Sequence, residues 1–183
     1  MMNRMAVYPG TFDPLTSGHF DLIKRSNRIF PRLIVAVAAF STKGNSMFSL
    51  DERMEMISEA IQDMPNVSVE PLDCLLVDFC RRNQANVVIR GLRAYSDFEY
   101  EFQMALINRR LEPELETFFM MPQEEHSYVM ASTVREIARY GGDTSSFVPA
   151  SVQRHVIRFM EAHPEQRLDA PGGRADVSGA FDR

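Results

Sequence analysis

Thr11, His19, Lys43, Arg90, Arg93, His126 and Ser132 are the side chains of this sequence whose types suit chemistry on anions. They are hydroxyls, imidazoles and fixed cations. No Ser-His-Asp or Cys-His arrangement accompanies them, so nothing points to a covalent nucleophile. The chemistry such a set can do is to hold phosphates and to stabilise charge that develops on them. Each member alone has an ordinary reading. His19 could be a helix cap, Lys43 a solvated loop charge, Arg90 and Arg93 surface cations, and Ser132-Thr133 an N-cap. The stretch "VYPGTFDPLTSGHFDLI" (7–23) argues for more at His19. Pro9, Gly10, Pro14 and Gly18 stiffen the turn before it, and Gly18 lets a ligand approach the backbone. Arg90 directly follows the apolar "VVI" and must emerge where a buried strand ends.

The elements that must position these groups alternate between two patterns. Met5–Tyr8 is a short apolar run. From Gly18, Phe20, Ile23 and Phe30 recur at roughly helical spacing until Pro31. "RLIVAVAAF" (32–40) is continuously apolar, as a strand buried on both faces should be. "SLDERMEMISEAI" begins with a capping box, Ser49 and Glu52, and Met54, Ile57 and Ile61 mark its buried face. "NVSVEPL" alternates like a strand, "LLVDFCRRNQ" is helical, and "ANVVIRGL" is again a buried strand. "SDFEYEFQMALINRRL" opens with a second capping box, Ser96 and Glu99; its aromatics and methionine suit core or subunit contact. "ETFFMMP" is a fifth strand. Two helices close the domain, Ser132–Tyr140, ended by Gly141-Gly142, and Pro149–His163.

Strand and helix thus alternate about five times. The expectation is an α/β, Rossmann-like, doubly wound five-stranded parallel sheet with helices on both faces. Ligands of such sheets sit beyond the carboxyl ends of the strands. Thr11 and His19 follow the first strand, Lys43 the second, Arg90 and Arg93 the fourth, and His126–Ser132 the fifth. Cations converge there with helix N-termini near Gly18 and Ser132, so the ligand implied is a polyphosphate.

The 183 residues are 45% hydrophobic and 25% charged, which suits one globular domain over residues 1–163. Residues 164–183 have little periodicity and read as a flexible tail. A net charge of −5 gives no general footprint for nucleic acid. Two cysteines, Cys74 and Cys80, read as buried free thiols of a reducing compartment. The N-terminus is too polar for a signal peptide, and no apolar run spans a membrane, so the expectation is a cytoplasmic protein. His155 and His163 read as helix-surface residues.

"YPGTFDPLTSGH" resembles the T/HxGH nucleotide-binding motif of the nucleotidyltransferase superfamily, and "IRGLRAYSDFEYE" and "STVRE" extend the likeness. The set, from about Met5 to about Met160, is similar to the bacterial phosphopantetheine adenylyltransferases. That resemblance implies transfer of adenylate from ATP to 4′-phosphopantetheine with Mg²⁺, giving dephospho-coenzyme A and pyrophosphate, in a homohexamer. It implies that Thr11 touches both substrates and that the Phe12 backbone meets ATP. His19 would bind the ATP phosphates and stabilise the transition state. Lys43 and Arg90 would hold the acceptor phosphate, and Leu76 would line the pantetheine arm. Gly91, Leu92, Arg93 and Glu101 would contact ATP, and His126, Ser127, Tyr128, Val129, Met130, Ala131 and Ser132 would wrap it. The family often has serines where this chain has Met130-Ala131. Two alternatives are weaker. Transfer to nicotinamide mononucleotide or glycerol phosphate is disfavoured by Thr16 in place of the motif's first histidine and by "RGLR". A non-catalytic nucleotide-binding module is disfavoured by the retention of Lys43 and Arg90.

Overall fold

Val7, Val35 and Val88 are completely buried, and each lies in a run apolar enough to be covered on two faces. These runs become the central strands of the sheet. The computed structural model describes residues 5–39, 46–93 and 95–168. In chain order the elements are β1 (Met5–Gly10), α1 (Ser17–Ile29), β2 (Arg32–Ala38), α2 (Leu50–Ala60), β3 (Val67–Leu72), α3 (Leu76–Arg82), β4 (Val87–Gly91), α4 (Tyr95–Leu111), β5 (Glu116–Met120), α5 (Ala131–Arg139) and α6 (Ala150–Ala162). The sheet order is β3-β2-β1-β4-β5, parallel at every pairing. Order reverses between β1 and β4, so the carboxyl ends of these two strands flank the crevice where such a sheet takes a ligand.

Alternate residues of β1 go to opposite sides. Ala6 and Tyr8 join a core with Leu22 and Ile23 of α1, Met56 and Ile57 of α2, Val134 of α5 and Val152 of α6. Met5 and Val7 join a smaller core with Val77, Phe79 and Cys80 of α3. Helices therefore cover both faces, as the doubly wound expectation requires.

Local signals set most boundaries. Ser49 and Glu52 do form the capping box of α2, with Ser49 N–H donating to Glu52 at 2.8 Å. Gly141 ends α5 with φ +72°, which glycine adopts without steric cost. Several expectations need correction. The buried face of α2 includes Ile57 and Ile61 as expected, but Arg53 and Met56 join them and Met54 is only partly covered, because the turn after β1 packs over Arg53. α4 begins at Tyr95, ahead of the Ser96 box, and the Ser96 side chain lies outside the described residues. Phe98, Phe102, Leu106 and Ile107 of α4 are exposed, so of the two expected roles, core or subunit contact, these residues do not fill the first. The N-cap of α5 is Met130, with no side-chain hydrogen bond, and Ser132 lies inside the first turn. His155 is buried, because Glu59 of α2 meets its Nε2 at 3.2 Å. Both cysteines are free, but Cys74 is exposed. Burial pushes the Cys80 thiol up to about 12. Past α6 the chain makes a 3-10 turn, Pro164–Gln166, and Leu168 N–H donates to Arg139 O at 2.9 Å. The rest of the expected tail, from residue 169, and Lys43 lie outside the described residues.

Candidate active site

The strand ends open into a cleft of about 750 Å³. Gly10, Ala38, Leu72 and Gly91 border it from four strand ends, and the segment from Pro122 to Arg135 closes one side.

The turn after β1 is its floor. Phe12 has φ +50°, a region L-residues seldom enter, and its ring is 2% exposed between the rings of Tyr8 and His19. A Cβ on Gly10 would stand 2.7 Å from that ring, so the turn closes only with glycine there. Asp13 is buried, and its two carboxylate oxygens accept from Met47 N–H and Phe48 N–H, each at 3.0 Å. Arg135 of α5 donates to the Asp13 carbonyl and stands 3.4 Å from its carboxylate. The turn is thus tied to the segment leading into α2 and to α5.

His19 is the third residue of α1 and completes a capping box with Thr16. Thr16 N–H donates to its Nδ1 at 3.1 Å. Backbone N–H can only donate, so Nδ1 is the acceptor nitrogen and Nε2 carries the proton of the neutral ring. Burial pushes this imidazole down to about 4, and the Arg93 guanidinium pushes the same way. His19 is therefore a neutral Nε2–H donor on the cleft wall. The cap and the functional reading are both true of it, one for each nitrogen. Tyr8 also lines the cleft, and burial raises its phenol, so the hydroxyl stays protonated.

Arg90 emerges from β4 and is clasped by Glu101 of α4, Nε to Oε2 at 2.5 Å and Nη2 to Oε1 at 2.6 Å. Such a bidentate pair fixes the plane of the guanidinium. Arg90 also donates to Pro9 O at 3.2 Å. Arg93 is half-exposed and pairs with Asp97 at 3.1 Å. A side cavity of about 80 Å³ continues past Arg90 between Leu76, Tyr100, Met104 and Asn108.

The wall opposite is held by α1. Asp21 accepts from Gln123 N–H at 3.2 Å, and Arg25 donates to Met121 O at 2.5 Å while pairing with Asp21. What lies over Gly18 is the His126 carbonyl, 3.2 Å from where a Cβ would stand. Gly18 thus admits the neighbouring chain segment.

Of the residues expected from sequence, Thr11, Phe12, His19, Leu76, Arg90, Gly91, Arg93, Glu101, His126, Val129, Met130, Ala131 and Ser132 line the cleft. Leu92, Ser127 and Tyr128 do not. Leu92 N–H is bound to Met120 O at 2.9 Å, Ser127 Oγ to Glu124 O at 2.8 Å, and Tyr128 is exposed. Sequence reasoning missed Tyr8, Asp13, Arg53 and Arg135. Asp13 had a signal, lying inside "TFDP", but its partners come from distant segments.

Residues 7–137 match a family described as cytidylyltransferase-like. A phosphopantetheine adenylyltransferase of Alkalilimnicola ehrlichii is 56% identical over 155 residues, 84% of this chain and 89% of that one. The chain belongs to the phosphopantetheine adenylyltransferase family. A further member, from Methylococcus capsulatus, is 51% identical over 86% of this chain and 96% of its own. Among solved structures, a bifunctional NMN adenylyltransferase/ADP ribose pyrophosphatase complexed with AMP and Mn ion, from Francisella tularensis, superposes with a TM-score of 0.67. It is 18% identical and covers 87% of this chain, which spans half of that protein, so the likeness is one of fold. Within the family's motif, then, His19 is a neutral donor and Glu101 is the partner of Arg90.

Proposed function

We propose that this enzyme joins ATP and 4′-phosphopantetheine into dephospho-coenzyme A and pyrophosphate by direct in-line transfer, with no covalent enzyme intermediate. The observation that carries the reading is the meeting, in one cleft, of the His19 Nε2–H donor with Arg90 and Arg93.

An oxygen of the acceptor phosphate attacks the ATP α-phosphorus, and the bond to the β-phosphate oxygen breaks, its electron pair leaving with pyrophosphate. The nucleophile is already an anion, so no general base is needed. The obstacles are repulsion between two polyanions and charge gathering on the α-phosphate and the leaving group. Arg90, held in plane by Glu101, receives the acceptor phosphate with Thr11, and Lys43 belongs to the same role. Glu101 acts here through Arg90. Leu76 and the side cavity toward Asn108 take the pantetheine arm. Gly91, Arg93, His126 and residues 129–132 take ATP. Since Met130 caps α5 without a side-chain bond, phosphate there meets backbone N–H groups. His19 Nε2–H faces the α-phosphate, where a fixed donor stabilises developing charge.

Mg²⁺ enters as part of Mg²⁺-ATP. The carboxylates lining the cleft, Asp13, Asp97 and Glu101, are each engaged by arginine, and among the described residues no cluster could hold a metal. The ion would be carried by the phosphate oxygens of ATP. Exposed apolar residues of α4 support assembly, and we assign the family's homohexamer. Two free cysteines support a cytoplasmic setting. Among the described residues, no helix is long and apolar enough to cross a membrane.

Pyrophosphate release with Mg²⁺-ATP and a panel of acceptors tests the reading. Release with 4′-phosphopantetheine, and none with nicotinamide mononucleotide or glycerol phosphate, is expected. Equal release with another acceptor would overturn the assignment.

A further inference from the structure

We infer that Arg53 is a positioning residue that aims the Phe12 N–H at phosphate, an inference resting on the adenylyl-transfer reading of the cleft. Arg53 lies on α2 with 3% of its surface exposed. Burying a guanidinium is costly, and an apolar side chain would serve the packing of a helix better. Its bonds go to backbone carbonyls. Nη1 donates to Thr11 O at 2.7 Å and to Ala38 O at 3.0 Å, and Nε donates to Ser49 O at 3.2 Å. Burial lowers its pKa, and nearby Asp13 partly offsets this. One planar fork thus joins the turn after β1, the end of β2 and the cap of α2.

The Thr11–Phe12 peptide is trans, so its carbonyl and its N–H point in opposite directions. The carbonyl is drawn inward to the buried guanidinium. Phe12 lines the cleft, and its N–H points to the side of the peptide opposite the guanidinium. The left-handed backbone of Phe12 is strained for an L-residue and persists only because its surroundings over-determine it. The packed ring provides one anchor and Arg53 the other. A cation on the carbonyl also polarises the peptide and makes its N–H a stronger donor. Asp13 completes the brace from the same turn, holding Met47 N–H and Phe48 N–H.

The test is the Phe12 amide resonance of the full chain, titrated with pyrophosphate, in wild type, Arg53→Lys and Arg53→Met, with steady-state kinetics and thermal melting alongside. In wild type the Phe12 amide shifts on titration. In Arg53→Lys the shift is lost, because Nζ ends one bond short of the place of Nη1 and brings no second nitrogen for Ser49 O, so it cannot hold the three carbonyls together as the guanidinium does. There kcat falls on the order of 10²-fold, as for a misplaced reacting group. Arg53→Met falls at least as far. Variants that melt earlier but keep wild-type kcat and the amide shift would show a merely structural role and overturn the inference. If neither variant folds, the wild-type titration decides, and an unmoved Phe12 amide overturns it. A wild type that shows the shift, lost in Arg53→Lys, but transfers no adenylate would remove the reaction reading and leave Arg53's role standing.

Discussion

His19 serves two functions through two nitrogens. Nδ1 caps α1 and Nε2–H faces the cleft, so its tautomer is set by a bond the helix needs anyway. His19→Ala is expected to lower kcat by a factor on the order of 10²–10³, as for other lost transition-state donors. Near-wild-type turnover of folded protein would contradict the role. The sign of its pH dependence follows from burial. The ring's pKa falls from 6.5 to about 4, so between these values the unfolded state binds a proton that the folded state does not. Stability on His19's account is full above about 6.5 and declines as pH falls toward 4. Melting of wild type and His19→Gln at pH 7 and pH 5 checks this, the wild type losing more on acidification. Glu101 gives a further prediction. Glu101→Gln loosens the clasp on Arg90, so KM for 4′-phosphopantetheine rises about tenfold, the factor for about 1.4 kcal/mol, with a smaller change for ATP. An unchanged acceptor KM would show that Arg90 needs no partner.

At the scale of elements, α1 reaches two parts of the cleft. Its first turn presents His19, and Asp21 with Arg25 holds the chain between Met121 and Gln123. Asp21→Ala is expected to raise KM for ATP about tenfold, the cost of losing a charge-assisted bond worth about 1.5 kcal/mol, and to leave the acceptor KM near wild type. Steady-state kinetics with each substrate varied in turn separates the two. Element starts and ends were legible where the signal is local, as in the Ser49–Glu52 box and Gly141 after α5. Arg53 was not legible. Helical spacing sends an arginine beside Met54 to solvent, and only the turn after β1, 42 residues earlier in the chain at Thr11, supplies the carbonyl that buries it. His155 was misplaced for the same reason, since Glu59 comes from another helix.

For the whole molecule, a parallel sheet covered on both faces follows from alternation of buried runs with amphipathic ones, and the site from what the strand ends carry, whereas the order β3-β2-β1-β4-β5 was not legible because the same alternation suits other doubly wound orders. The sequence could not show that α4 covers its sheet face while leaving Phe102, Leu106 and Ile107 exposed. Exposed apolar patches of this kind mark interaction sites. Sedimentation is expected to give a mass of six copies, and Leu106→Asp with Ile107→Asp to lower it. A monomeric wild type would contradict the assembly. Direct transfer is the central claim. Enzyme at substrate-like concentration is mixed first with Mg²⁺-ATP alone and then with 4′-phosphopantetheine, and pyrophosphate and protein-bound adenylate are followed. The account predicts neither before the acceptor arrives, then pyrophosphate and dephospho-coenzyme A in equal amounts. A burst of pyrophosphate matching the enzyme before acceptor is added, or none after, would contradict it.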